Sequence, residues 1–367
     1  MRVLVLSAGI GEGHDLPARL IAEGLQAARP RAEVRVEDGL KIMGRAVQGV
    51  FEGGSPFHSE WGLRANDVGW SVYMGLAPTR ELAAFLLTVA GARPLRRRIA
   101  EVGPDVVVST WPGTTEILGR LRRTRRLAVP VAAAITDLAA LRFWATDGVD
   151  LHLITHPESA AEVRALAPRS RVVAVRGLTK PDFLDEVGAP EARAARGLPA
   201  AGRVVVVSGG GWAVGDLEGA VEAGLAAGAF VVALCGRMEE VRARMGERFA
   251  GDPRVRVEGF TEQMGTYLAA ADALVHSTAG LTVLEAIIRG CPVISYGWGR
   301  AHIRVNNRAF ERFGLARVAG SRRALDAALA QVLAAPRPAP DPSFAALPDA
   351  AGEILALARR AGGRAAS

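Results

Sequence analysis

Two short stretches of the 367-residue chain hold the residue types from which chemistry on an anionic ligand could be built. The first is SAGIGEGH, residues 7–14, where Gly9, Gly11 and Gly13 lead to His14. A strand pattern precedes it at 2–6 and a helical pattern follows at 15–28, so loop N–H groups and a helix dipole meet at the glycines. His14 is the one group there that titrates near pH 7. The second stretch is STAGLTVLEAIIRGCPVI, residues 277–294. Behind a strand ending at His276, residues Thr278, Ala279, Gly280 and Leu281 form a helix entrance whose free N–H groups suit a pyrophosphate. Glu285 lies one turn further in, where a carboxylate accepts hydrogen bonds from ribose hydroxyls. Phe260 closes a strand in VEGFTEQM and suits packing on a base.

Blander readings stand beside these. Glycines 9, 11 and 13 make GxGxG and not GxGxxG, yet Glu37 and Asp38 follow a second strand, 34–36, where an acid would bind an NAD ribose. A structural tight turn also fits, and a loop histidine is commonly a hydrogen-bonded turn residue. Asp137, after an apolar strand, suits a helix cap as well as it suits catalysis. Glu285 could be a surface helix residue.

Such groups need rigid elements behind them. Short apolar runs at 106–109, 131–136, 151–155 and 172–175 alternate with helical patterns, which predicts a parallel sheet covered on both faces. At 204–217, VVVVSGGGWAVGDL repeats the order strand, glycine turn, helix, with Gly209, Gly210 and Gly211 in the turn. The alternation then restarts at 230–235, 255–257, 273–276 and 292–296. Two such openings predict an α/β protein with two Rossmann-like domains whose parallel sheets face across a cleft. The expected domains are 1–185 and 200–334, followed in 335–367 by a proline-rich linker, a helix and a tail. Between 39 and 94 the rhythm breaks into a mostly helical segment with Phe51, Phe57, Trp61, Trp70, Tyr73, Phe85 and the run LAAFLLTVAG before PLRRR. It is either the core of an inserted helical pair or a surface that admits an apolar molecule.

Bulk properties narrow the class. Half the residues are apolar, which is globular composition, and the net charge is +7 with a pI near 10.3. Lys41 and Lys180 are the only lysines, so the charge is carried by arginine, and GC-rich coding accounts for part of that bias. The arginines at 96–98 and 122–126 either form solvated helix faces or hold the protein on an anionic membrane. Nucleic acid is not an expected partner, because no recognition element accompanies the charge. Cys235 and Cys291 read as reduced core residues of a cytosolic protein. The opening MRVLVLSAG reads as a strand and not a signal peptide, and no apolar run is of membrane-spanning length. The expected location is cytoplasmic, peripheral on the cytosolic face of the membrane.

Taken together, these motifs resemble the glycosyltransferases of the GT-B fold, and among them glycosyltransferase family 28, which includes diacylglycerol glycosyltransferases, plant-type monogalactosyldiacylglycerol synthases and the peptidoglycan lipid-I N-acetylglucosaminyltransferase. The glycine loop ending in His14, the run Ser109, Thr110, Trp111, Pro112, and Thr136–Asp137 with Trp144 downstream match the family's amino-terminal motifs. Gly209, Gly210 and Gly211 match its donor-side loop, and Ala279, Gly280, Leu281, Thr282, Glu285 and Ala286 match its GGLTxxEA. Two departures stand out: Ala279 replaces a glycine, and GWGRAHIRVNN replaces the usual PGQE region, bringing Arg300 and His302 there as donor contacts, with Asn306 or Asn307 as equivalents of an asparagine.

The resemblance implies metal-independent, inverting transfer of a hexose from a nucleotide sugar, UDP-linked, to a hydrophobic or membrane-associated acceptor such as diacylglycerol, with no cofactor. His14 is the implied general base, with Asp137 orienting it or acting as base. Gly11, Gly13, Trp111, Pro112 and Trp144 fall on the acceptor side. The remaining alternatives are a transferase for a soluble natural product or lipid-linked cell-wall precursor, a dehydrogenase or epimerase, and a non-catalytic nucleotide-sugar or lipid-binding protein.

Overall fold

The computed structural model describes residues 1–9, 12–52, 76–185, 187–297 and 301–365. The chain divides into two compact units, Met1–Lys180 with Ala346–Ser367, and Pro181–Ala345. Gly11, Arg300 and the aromatic residues Phe57, Trp61, Trp70 and Tyr73 lie outside the described residues.

The first unit is built on a six-stranded, wholly parallel sheet of β1 (Arg2–Ser7), β2 (Glu33–Asp38), β3 (Val106–Ser109), β4 (Val131–Ile135), β5 (Leu151–Ile154) and β6 (Arg171–Ala174). Its order is β2-β1-β3-β4-β5-β6. Both faces are covered, which is why the central strands are mostly apolar. Val3 and Val5 join Ile21 and Leu25 of the opening helix, Glu12–Ala28, and Ile354 and Leu355 of the last helix, Ala350–Ala365. Leu4 and Leu6, one residue out of phase, join Leu95, Ile99, Ile117 and Leu118 on the opposite face.

The second unit repeats the plan with β7 (Val204–Ser208), β8 (Phe230–Leu234), β9 (Val255–Glu258), β10 (Ala273–His276), β11 (Val293–Tyr296) and β12 (Arg317–Ala319). The order β12-β11-β10-β7-β8-β9 is the Rossmann order. In such sheets ligands bind beyond the carboxyl ends of the strands, where the strand order reverses. That point lies between β1 and β3 in the first unit and between β7 and β10 in the second.

The proline-rich segment after residue 334 is strapped to the second unit. Arg337 donates to the carbonyls of Ala271 at 2.7 Å, Leu268 at 2.9 Å and Arg289 at 3.1 Å, and also to Ala269. Gly290, with φ +63°, lies so close that a Cβ would stand 2.8 Å from the backbone of Pro338 and Ala339. Only past residue 345 does the chain return to the first unit, where the Ala350 N–H donates to the Arg176 carbonyl at 3.0 Å and the Arg176 N–H to the Pro348 carbonyl at 3.0 Å. Residues 335–367, read from sequence as one appendage, are therefore shared between the two units.

Candidate functional site

The first unit gathers its chemistry where β1 and β3 part. The opening helix starts at Glu12, three residues before the helical pattern in the sequence, so His14 lies in its first turn. Ser7 at the end of β1 is hydrogen-bonded to the Asp15 carboxylate, which pins that turn to the strand. His14 Nδ1 lies 2.9 Å from the carbonyl oxygen of Thr110, just past β3. A carbonyl only accepts, so this partner assigns the proton to Nδ1 and the lone pair to Nε2. An imidazole in this tautomer takes a proton at Nε2. The Thr110 carbonyl thus fixes the orientation of the ring at Nδ1. Asp137 itself is half-buried and follows Thr136, whose hydroxyl donates to the Gly13 carbonyl at 3.1 Å. The ends of β1, β3 and β4 all converge on one helical turn.

The other first-unit candidates divide by exposure. Gly13 has open space where a Cβ would stand. Trp111 is 3% exposed, in the same core cluster as Leu4, Leu6 and Leu118, and its carbonyl accepts the hydroxyls of Thr114 at 2.9 Å and Thr115 at 3.0 Å. Its ring is a core element under the helix Pro112–Arg123, which Pro112 opens, half-buried. Trp144 packs, partly buried, against Ile135 and Ile154. Glu37 and Asp38 are engaged in the fold: Arg98 grips Glu37 at 2.8 and 2.6 Å, and Asp38 caps the helix Gly39–Met43 through the Leu40 N–H at 2.9 Å. Both carboxylates thus have partners within the protein.

In the second unit, the turn after β7 and the turn after β10 flank the reversal point. Ser208 Oγ accepts the Gly210 N–H at 3.2 Å. Gly209 is packed so tightly that a Cβ would stand 2.4 Å from the Val214 carbonyl oxygen, Gly210 takes φ +72°, and Gly211 has open space at its Cβ position. After β10, Thr278 Oγ1 lies 2.7 Å from Nε2 of the buried His276, whose pKa burial pushes down to about 4, so the imidazole is neutral. Ala279 takes a left-handed φ of +47° at 1% exposure. Its turn delivers Gly280 as the cap of the helix Leu281–Ile288, with no side chain capping it. N–H groups of a helix start capped this way are available to an anion.

Around this entrance, Leu281 and Thr282 are half-buried, while Glu285 is 5% exposed and so is not a surface residue. His302 is half-buried in the first turn of the helix Ala301–Phe313. Asn306 and Asn307 are buried, and Asn307 accepts the Ser295 hydroxyl at 2.7 Å, a packing role. Tyr296 donates to Asp216 at 2.8 Å; burial and that carboxylate push its pKa up to about 12. Phe260 is 48% exposed beyond β9, and the guanidinium of Arg237 lies 3.9 Å from its ring centroid. Arg237 is absent from the expectations; its only signal is a Cys-Gly-Arg turn closing an apolar strand.

The long helix Ala77–Val102 carries a further surface. Ala84, Gly91, Leu95, Ile99 and Val102 face the core. Leu82, Phe85, Leu86 and Val89, repeating at three and four residues, are each more than half exposed, and the same face continues through the exposed Arg93, Arg96 and Arg97. Arg98 and Arg122 in the basic runs are instead tied into the fold, Arg98 to Glu37 and Arg122 to Asp150 at 2.6 Å. Among the described residues no group of three or more His, Cys, Asp or Glu stands together as a metal site, and no helix is long and apolar enough to cross a membrane.

Comparison with known proteins bears on these sites. Residues 71–178 match the family model of monogalactosyldiacylglycerol (MGDG) synthase. A processive diacylglycerol β-glucosyltransferase of Staphylococcus epidermidis is 20% identical over 62% of this chain and 59% of its own length, so the match spans about three fifths of that relative. The UDP-N-acetylglucosamine–N-acetylmuramyl-(pentapeptide) pyrophosphoryl-undecaprenol N-acetylglucosamine transferase of Salinibacter ruber is 29% identical over 86% of this chain and 82% of its own. The crystal structure of MurG from Acinetobacter baumannii superimposes with a TM-score of 0.56 at 15% identity, covering 98% of this chain and 99% of the other.

Proposed function

We propose that this chain is a family-28 glycosyltransferase of the GT-B fold that moves a hexose from a UDP-sugar, with inversion, to a hydroxyl of a hydrophobic, membrane-borne acceptor such as diacylglycerol, a reading supported by its similarity to the MGDG synthase family and to its glycosyltransferase relatives. The observation that carries the reading is the hydrogen bond of His14 Nδ1 to the Thr110 carbonyl, which orients a basic Nε2 at the strand reversal of the first unit. In the proposed step Nε2 takes the proton of the acceptor hydroxyl as its oxygen attacks the anomeric carbon, the bond from that carbon to the diphosphate oxygen breaks, and UDP departs. The second unit holds the donor: backbone N–H groups of Gly209 and Gly211 and at 279–281 balance the diphosphate charge in place of a metal. Glu285 accepts from the ribose, and Arg300 and His302 take the sugar side.

The apolar and basic face of the helix Ala77–Val102 supports a lipid acceptor over a soluble one. Four exposed apolar side chains followed by arginines fit the acyl boundary and the headgroups of an anionic leaflet. The protein then works as a peripheral protein at the cytosolic face of the membrane.

The test supplies UDP-glucose, UDP-galactose and UDP-N-acetylglucosamine to the protein with diacylglycerol-bearing vesicles and follows new glycolipids by mass spectrometry. His14→Ala is expected to lower turnover by about 100-fold or more while UDP still binds. Wild-type turnover in that variant removes His14 as base. No product from any donor, together with no binding of UDP, removes the function itself.

A further inference from the structure

The helix Leu281–Ile288 starts from a turn that its own residues do not favour. Ala279, buried, takes φ +47°, and Gly280 caps the helix with no side-chain hydrogen bond. A residue with a Cβ keeps a left-handed conformation only where its surroundings hold it there. The three residues before it supply that hold. β10 ends at His276, which pairs with Ser208 of β7, and the Ser277 N–H donates to the Ser208 carbonyl at 3.3 Å. Gly215 closes on Ser277: its φ is +102°, and a Cβ there would stand 2.4 Å from the Ser277 Oγ. Thr278 follows, half-buried, with its Oγ1 2.7 Å from Nε2 of His276, itself 1% exposed. The imidazole thus closes a short loop of chain that ends where the left-handed residue begins.

An imidazole suits that place. Burial keeps it neutral, with its pKa lowered to about 4, so one nitrogen carries a proton and the other a lone pair. Whichever of the two atoms donates, a single hydrogen lies between Nε2 and the Thr278 hydroxyl, and breaking that bond would leave a buried polar atom without its partner. The bond therefore resists rotation of the Thr278 side chain, and with it movement of the peptide that leads into Ala279. Resting on the reading that this helix start holds the donor diphosphate, we propose that His276 is a positioning residue, which braces Thr278 and so presets the N–H groups at 279–281 for the diphosphate. His276 then acts on donor affinity and takes no part in the proton transfer assigned to His14.

Calorimetry of the full chain with UDP, pyrophosphate and uridine, run well below the melting midpoint of each variant, tests this. Asparagine in place of the histidine cannot reach the position of Nε2, and glutamine can. His276→Asn and Thr278→Val are each expected to weaken UDP and pyrophosphate by about tenfold, to leave uridine unchanged, and to raise KM for the UDP-sugar with kcat within about twofold. His276→Gln is expected to stay within about threefold of the wild type. Because the two side chains act through one bond, a protein carrying both His276→Asn and Thr278→Val should bind no more weakly than the weaker single variant. Losses that multiply to about 100-fold would show that the two residues act separately and overturn the brace. So would a His276→Gln variant as weak as His276→Asn. Wild-type affinity in His276→Asn together with a lowered melting midpoint would leave the imidazole a role in stability alone, and equal weakening of uridine would move its effect away from the diphosphate; either result overturns the proposal. A wild-type protein that binds neither UDP nor pyrophosphate overturns the donor reading itself, an outcome distinct from all of these.

Discussion

Ala279 carries a conformational strain that its neighbours impose. Its φ of +47° costs a residue with a Cβ roughly 1–2 kcal/mol, and at 1% exposure it has no freedom to relax. The left-handed turn aims the start of the helix Leu281–Ile288 at the reversal point, so the strain is tied to the ligand-facing geometry. Ala279→Gly removes the steric cost and adds about 0.5–1 kcal/mol of chain entropy to be lost on folding. The variant is expected to gain up to about 1 kcal/mol in the second unit, read as a higher thermal midpoint, and Ala279→Val to lose stability. A lower midpoint for the glycine variant would show that the conformation is held without strain. Sequence alone showed that Ala279 replaces a glycine but not which conformation it takes. Spacing singled out His14 and Glu285 in the sequence; that Glu285 is buried, and that the Thr110 carbonyl holds Nδ1 of His14, depends on contacts between elements far apart in the chain. The stacking of Arg237 on Phe260 was illegible for the same reason, since it comes from the position of β8 beside β9.

Elements were easier to read than contacts. Strands buried on both faces announce themselves as uninterrupted apolar runs, so β3 and β10 begin and end where their residues predict and most others shift by a residue or two. The edge strand β12 escaped, because three residues beginning with an exposed arginine carry no periodicity. The apolar segment before PLRRR left two readings open, core or surface. The helix Ala77–Val102 takes both, with its buried side on Leu95 and Ile99 and its exposed side on Leu82, Phe85, Leu86 and Val89. Burying each of the exposed side chains in an acyl boundary would contribute about 1.5–3 kcal/mol, and each arginine near an anionic leaflet about 1 kcal/mol. Replacing the four apolar residues by serine is therefore expected to abolish co-sedimentation with phosphatidylglycerol vesicles. Arg93→Gln with Arg96→Gln should weaken it in a salt-dependent way. UDP binding should be unchanged in both. Sedimentation of the serine variant at the wild-type level would assign the membrane contact elsewhere.

At the scale of the molecule, the chain leaves the first unit at Lys180 and comes back at Ala346, so the stability of that unit depends on the last residues of the sequence. Ala350, Ala351, Ile354, Leu355 and Ala358 are each under 8% exposed and complete the cluster that holds Val3, Val5, Ile21 and Leu25. Gly24 marks how close the fit is, since a Cβ there would stand 3.3 Å from the Ala351 Cβ. Removing the helix would take away Ile354, Leu355 and the partly buried Leu357 and uncover their partners, a loss of about 5 kcal/mol or more, against a typical domain stability of about 5–15 kcal/mol. The proline-rich segment, strapped by Arg337, belongs to the other unit and would stay in place. A chain ending at Ala345 is thus expected to lose, or shift to much lower urea, the transition of the first unit, with the second unit unfolding where it did. Because the residues proposed to hold the donor all lie between Gly209 and His302, UDP affinity of the shortened chain should fall less than threefold while turnover disappears. Urea titration by tryptophan fluorescence, paired with UDP calorimetry, checks both halves. Loss of UDP binding along with the helix would show that the second unit does not hold the donor by itself.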